Sequence, residues 1–189
     1  MDVNAKNVEA LAKQERDDNH ALRRHLKEQD RLSEQELDQL VFDITRRVWA
    51  GIDCTTCANC CKELTPGVTD EEAQRLAARL GLSVEDFHSQ YLKAPGSPGE
   101  DSEHDADDAR WRIRGKPCPF LEGNRCSVYE DRPAECRGYP YLYEPEFSCR
   151  TLGMIERTFT CPVVYLIFEE LKAELPFRRR SRRGESWQW

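Results

Sequence analysis

From Ser33 onward, apolar residues recur at helical intervals. Leu37, Leu40, Val41, Ile44 and Val48 follow one another at three- and four-residue steps, which predicts an amphipathic helix of about four turns. Ser33 and Glu36 form a capping-box pattern at its start. The pattern returns at Thr69 and Glu72, ahead of Ala73, Leu76, Ala77 and Leu80, and Gly81 supplies the stop. Ser83 can cap a third, shorter helix with Val84, Phe87, Tyr91 and Leu92 as its buried candidates. Far along the chain, Val163, Val164, Leu166, Ile167, Phe168 and Leu171 make a strongly apolar helix whose first position is Pro162. Cys161 then sits at the positive end of that helix, where a thiolate is stabilised. Upstream, residues 5–31 carry only Val8, Leu11, Leu22 and Leu26 among many charges, so a solvated helix or frayed arm is expected there.

Strand signals are few and short. Trp111 to Arg114 alternates, and Gly123-Asn124 suits a hairpin turn that brings Cys118 and Cys126 across from each other. Arg132-Pro133 opens a turn or short helix carrying Cys136. Residues 95–108 begin with Gly and Pro and continue with six carboxylates, a loop composition. Beyond Pro176, five arginines between Arg178 and Arg183 make a basic tail. The expected fold is α+β and mainly helical, a small cysteine-rich metal-stapled domain with a short β-hairpin. Its expected organisation is charged N-terminal helices over 1–48, a cysteine-cluster metal-binding domain over 49–176, and a basic flexible tail over 177–189. No internal repeat is present.

Composition narrows the chemistry. Of 189 residues, 39% are hydrophobic and 33% charged, so a core of this size benefits from cross-linking by metal. No charged-apolar-small leader opens the chain and no 18-residue apolar run could span a bilayer. The expectation is therefore a cytoplasmic protein without membrane contact. Thiols stay reduced there, so an odd set of nine cysteines reads as metal-binding or redox-active rather than as a disulfide framework. A net charge of −7 argues against nucleic acid as a partner. No G-x-G occurs to form a nucleotide loop, and the C-x3-C-x2-C of radical enzymes is missing. A protein partner of unknown identity is left as the open possibility.

The densest signal is Cys54-Thr-Thr-Cys57-Ala-Asn-Cys60-Cys61, with the spacing C-x2-C-x2-C-C. Two-residue gaps let a short turn curl around an ion or cluster with backbone N–H groups aimed at the sulfurs. Cys60 and Cys61 are about 3.8 Å apart at Cα, and adjacent side chains diverge by roughly 100° on a helix. The pair is expected either to straddle two sites or to supply one ligand and one bystander.

Together with Cys118-Pro-Phe-Leu, Cys126-Ser-Val-Tyr and Arg132-Pro-Ala-Glu-Cys136-Arg, this octet resembles the YkgJ-type cysteine-cluster family, described as zinc- or iron-chelating. The resemblance runs from about Cys54 to Cys161. It implies eight metal ligands: Cys54, Cys57, Cys60, Cys61, Cys118, Cys126, Cys136 and Cys161, with Cys149 as the extra thiol. It also carries an association with protein lysine methylation. Eight thiolates suit two zinc sites of four cysteines each, or an iron–sulfur cluster with a second metal. The ferredoxin-like C-x2-C-x2-C with a remote Cys-Pro favours iron–sulfur slightly over Zn2+. An iron–sulfur redox enzyme or electron carrier is the alternative to a purely chelating role. Lys62, Lys116, Arg125, Arg132 and Arg137 adjoin ligands in sequence and could offset thiolate charge. Arg132 and Arg137 are expected as structural partners of carbonyls or carboxylates. His20, His25, His88 and His104 are expected on solvated surface, and Tyr129, Tyr139, Tyr141 and Tyr143 in core and hairpin packing.

Overall fold

The computed structural model describes residues 3–94 and 110–177. The acidic loop at 95–108, with His104, and the arginine tail lie outside the described residues. In chain order the elements are α1 (Val8–Glu28), α2 (Glu34–Trp49), α3 (Cys54–Cys57), α4 (Asn59–Glu63), β1 (Gly67–Val68), α5 (Asp70–Leu80), α6 (Val84–Tyr91), β2 (Leu92–Lys93), β3 (Trp111–Ile113), β4 (Leu121–Glu122), β5 (Arg125–Cys126), a 3-10 turn (Tyr129–Asp131), α7 (Ala134–Gly138), α8 (Phe147–Thr158) and α9 (Pro162–Glu174). The fold is mainly helical α+β, with short antiparallel strands.

Two compact units divide the chain, and they do not follow the boundaries expected from composition. One is assembled from residues 1–53 and 140–189, and the other is the intervening segment 54–139. The division at 48/49 fails to anticipate this because the apolar helix at 163–171 has its partners in the N-terminal stretch, not beside it in sequence.

The helical unit contains α1, α2, α8 and α9. Leu37, Val41 and Ile44 from α2 meet Phe147, Met154 and Ile155 from α8 and Val164, Ile167, Phe168 and Leu171 from α9 in one core. The N-terminal segment is no frayed arm. α1 lies against α8 and α9 and buries Val8, Ala12, Glu15, Asn19, Leu22 and Leu26, a stripe at three- and four-residue steps. Its middle is polar, which hides the period from a hydrophobic scan. Glu15 is compensated there by Lys172, whose fully buried ammonium lies 3.0 Å from it and 2.6 Å from Glu169.

The capping box read at Ser33 and Glu36 is present in full. α8 has a different cap, supplied by α2. Asp38 accepts the backbone N–H groups of Glu146 and Phe147 at 2.8 and 2.9 Å. Glu34 accepts the Ser148 N–H at 3.0 Å and its hydroxyl at 2.7 Å. Two carboxylates thus satisfy the first orphan donors of a helix distant in sequence and complement its positive end.

The cysteine unit contains everything from α3 to α7. β1, β3 and β2 form an antiparallel sheet in that order, with Gly67 opposite Arg112 and Leu92 opposite Ile113. Val68, Ala73, Leu76, Ala77, Phe87, Leu92, Ile113, Phe120 and Val128 make its core. Phe120 stacks on Phe87 and Tyr91 at centroid distances of 6.2 and 5.2 Å. The capping boxes behave as read: Thr69 accepts from the Glu72 N–H, and Ser83 from the Asp86 N–H. Gly123-Asn124 makes the hairpin, Gly123 at φ +62° with Leu121 paired to Cys126.

Three side-chain expectations are corrected. Tyr129 and Tyr143 are more than half exposed, Tyr129 lying under the Arg132 guanidinium at 3.7 Å and Tyr143 against Phe42 at 5.8 Å. His88 is not a solvated residue, since its ring lies 4.2 Å from that of Trp111 with Nε2 buried. His20 and His25 are half-buried, His25 lying 6.2 Å from the Phe177 ring. Among the described residues no helix is long and apolar enough to cross a membrane.

The α8 cap generates a prediction. Asp38→Ala strands two backbone donors that a buried carboxylate holds, and hydrogen bonds to charged groups contribute about 1.5–3 kcal/mol each. Stability to urea should fall by roughly 3 kcal/mol, and hydrogen exchange at Glu146 and Phe147 should accelerate while amides in α5 do not change.

Candidate metal centre

None of the nine cysteines is in a disulfide. Seven of them lie in the 54–139 unit, carried by three separate pieces of structure.

The first piece is the paired turn α3–α4. Ala58 is left-handed at φ +50°, so the helix breaks between Cys57 and Cys60 and restarts. Lys62 folds back to donate to the Cys57 carbonyl at 3.3 Å, which puts an ammonium over the cysteine turn. Cys60 and Cys61 diverge at Cβ as adjacent residues must, yet their side chains meet. Cys60 donates to the Cys61 sulfur, and this contact together with Lys62 and Arg132 brings the Cys61 thiol down to about 7, against an opposing effect of burial.

The second piece is the β4–β5 hairpin with its flanks. The Cys118 N–H donates to the Cys61 carbonyl at 2.8 Å, tying the hairpin's entry to α4. Asn124 at the hairpin turn donates to the Thr56 carbonyl at 3.1 Å, tying its tip to α3. Two residues beyond each hairpin cysteine, a backbone N–H points at the sulfur: Phe120 serves Cys118 and Val128 serves Cys126. Those same two residues have their side chains in the hydrophobic core. Burial nonetheless pushes the Cys118 thiol up to about 11, and it raises Cys126 as well.

The third piece is α7, which carries Cys136. Its position is fixed by two carboxylates. Glu72, already the capping-box residue of α5, accepts the Ala134 N–H at 2.7 Å with its other oxygen. Glu135 accepts the Gly67 N–H at 2.6 Å and pairs with Arg110 at 2.5 Å. A Cβ at Gly67 would stand 2.8 Å from the Glu135 carboxylate, so a larger residue there would displace the Glu135 side chain from the Gly67 N–H. Burial, then the neighbouring Cys118, Cys61 and Cys126, push the Cys136 thiol up to about 12.

Cys118, Cys126 and Cys136 each sense Cys61, and Cys136 senses the other two as well, so the four make one electrostatically linked group. Arg132 acts on Cys61 and Cys126 as the countercharge, while stacking on Tyr129 and donating to its carbonyl at 2.6 Å. Arg137 turns to the carbonyls of Arg132 and Glu130, the structural role expected of it.

Residues 53–162, more than half of the chain, match the CxxCxxCC family, described as a "putative zinc- or iron-chelating domain". The chain belongs to this family. No solved structure matches it.

The donor set of this CxxCxxCC chain fits the metals named for the family. Soft thiolates select zinc and iron over hard cations, and either metal accepts four of them. The two N–H groups directed at sulfur and the cations Lys62 and Arg132 offset thiolate charge. Among the described residues no three His, Cys, Asp or Glu side chains stand at metal-holding distances. Closing on an ion therefore requires the thiols to draw together from their present positions.

Of the sequence-predicted ligands, Cys61, Cys118, Cys126 and Cys136 are brought into one group, and Cys60 touches it. Cys54 and Cys57 lie on α3, with Cys54 exposed. Cys161 belongs to the helical unit, at the N-cap of α9 and packed against that unit's core. Cys149 is exposed on α8. Glu72, Glu135 and Gly67, which hold α7, escape a sequence reading, since only the fold brings Ala134 and β1 to them.

The protonation states give a test. At pH 7.5 Cys118, Cys126 and Cys136 hold their protons because burial raises them, whereas Cys61 is largely ionised. A metal that takes all four thiols should release about three protons, so its apparent affinity should rise about a thousandfold per pH unit near neutrality. Calorimetric titration in buffers of different ionisation enthalpy measures this, and release of one proton or none would exclude the raised thiols as ligands.

Proposed function

We propose that this protein is a metal-chelating domain in which Cys61, Cys118, Cys126 and Cys136 hold one zinc or iron ion that cross-links the 54–139 unit. The reading is carried by one observation: four thiols from three pieces of structure interact as a group, and two of them already receive a backbone N–H at sulfur. That is the preparation a thiolate site needs, charge stabilised by donors whose own positions are set by the core. When bound, the ion supplies cross-linking between α4, the hairpin and α7. Lys62 and Arg132 reduce the repulsion of four thiolates, and Glu72 and Glu135 orient the Cys136 segment.

A second reading, an iron–sulfur centre with a redox role, is favoured by the Cys54-x2-Cys57-x2-Cys60 spacing on α3 and α4. Visible absorbance and electron paramagnetic resonance of anaerobically purified protein separate iron from zinc, because only iron thiolates give charge-transfer bands and a reducible signal, and acid-labile sulfide then separates a cluster from a single iron.

The cross-linking role is tested by removing the ion. Structural thiolate sites contribute on the order of 10 kcal/mol, as much as a whole domain's stability. A strong chelator should open the α3–α4 turn, the hairpin and α7 to hydrogen exchange while α2 and α9 keep their protection. Cys118→Ser and Cys136→Ser should each lose one metal equivalent. Undiminished metal content in both variants, or slow exchange after complete metal removal, would sink the proposal.

A further inference from the structure

The buried stripe of α1 runs Val8, Ala12, Glu15, Asn19, Leu22 and Leu26, alternating four- and three-residue steps as the seam of a coiled coil does. Its two ends are apolar and its middle is not. Val8 and Ala12 pack on Tyr165 in a small cluster of their own, and Leu22 and Leu26 join the main core of the helical unit. Between these ends Glu15 meets Lys172 at 3.0 Å. The interval from Val8 to Glu15 equals that from Tyr165 to Lys172, about two turns, so α1 and α9 lie side by side in the same direction.

Asn19 is fully buried, and neither its amide nitrogen nor its oxygen has a hydrogen-bond partner among the described residues. One turn on, Nε of Arg23 is buried in the same condition. An amide hidden without partners opposes the burial of the helix that carries it. The ion pair does little to offset this, because desolvation of both charges takes back most of their attraction.

Opening of α1 relieves both costs. Asn19 and Glu15 pass to water, while Lys172 keeps Glu169 of its own helix at 2.6 Å. The apolar side chains given up are the small Val8 and Ala12 and the two leucines. What stays behind is a complete core, since α2, α8 and α9 each pack on the other two. The turn joining α1 to α2 is also closed within itself. Gln29 accepts the N–H groups of Arg31 and Leu32 at 3.0 and 2.9 Å and donates to the Leu32 carbonyl at 3.0 Å, so this turn does not need α1 to be seated.

We propose that α1 is a strap that opens from α8 and α9 by itself, uncovering Tyr165 and Lys172, and that its polar middle, Glu15 and Asn19, is what holds the seam loosely. This is independent of the chelating function proposed above.

Native-state hydrogen exchange of the full chain, at the same metal content in every sample, follows the opening residue by residue. Amides from Glu15 to Leu22 should exchange about a hundredfold faster than the slowest amides of α2, α8 and α9, and with a weaker dependence on urea. Asn19→Leu, close to the original in shape, should slow α1 exchange at least about fivefold, and so should the paired change of Glu15→Leu with Lys172→Met, which replaces buried charges by apolar side chains. Gln14→Ala on the exposed face alters helix propensity alone and should do less. Limited trypsin digestion should cut at Arg16, Arg23 or Arg24 before any site in α2, α8 or α9, and Asn19→Leu should delay that cut. Exchange of α1 at the same rate and with the same urea dependence as α2, α8 and α9 would make the four helices one cooperative unit and overturn the proposal. Failure of both Asn19→Leu and Asn19→Ala to slow α1 would do the same, since the amide would then be helping to hold the helix down. Should the paired variant not fold, the two Asn19 variants decide.

Discussion

Phe120 and Val128 each perform two tasks with one residue: the side chain is buried in the core of the cysteine unit, and the backbone N–H two residues after a cysteine is aimed at its sulfur. The rest of the site depends on this coupling. Buried side chains in a close-packed core cannot shift without loss of contacts, so the sulfur-directed donors inherit the rigidity of the Phe87–Tyr91–Phe120 stack. A cysteine loop lacking such anchors would have to order its donors at the moment of binding, and the conformational entropy of that ordering would weaken the metal. Here the hydrophobic core has ordered them beforehand.

Carboxylates do comparable work on backbone that no regular ladder satisfies. Glu72 closes its own capping box and reaches the start of α7, Glu135 holds the Gly67 N–H, and Asp38 and Glu34 cap α8 from α2. In each case an N–H near a helix or strand end, which regular backbone pairing leaves over, gains a charged acceptor. The electrostatics of the thiols are set against this background. Burial raises Cys118, Cys126 and Cys136, while Cys60, Lys62 and Arg132 lower Cys61. One thiol is thereby ready at neutral pH, and three hold their protons there.

Legibility in the sequence followed the range of the interaction. Capping boxes at Ser33 and Thr69, the cap at Ser83, the proline start of α9 and the Gly123-Asn124 turn are written in residues three or four apart, and each stands where it was expected. The cysteine spacing likewise announced a thiophilic site. α8 left no comparable trace, because Ser148, Thr151 and Thr158 occupy its buried stripe and its cap comes from residues more than a hundred positions away. α1 was obscured in the same manner by Glu15 and Asn19, and the burial of Glu15 makes sense only once Lys172 faces the helix. Which cysteines group together was also beyond spacing alone, since Cys136 reaches Cys61 and Cys118 only after Glu72 and Glu135 have fixed α7.

The interrupted course of the helical unit has a consequence for the order in which the protein can be made. Its core needs α8 and α9, and both leave the ribosome after residues 54–139. α1 and α2 are therefore synthesised early and must wait, their stripes of Val8, Leu22, Leu26, Leu37, Val41 and Ile44 uncovered, while the cysteine unit has its complete sequence first. Segments fold as cooperative units once their own contacts are available. The nascent chain thus passes through a stage in which the thiol-bearing half is assembled and the helical half is still an exposed apolar surface, the stage at which a chaperone has most to bind.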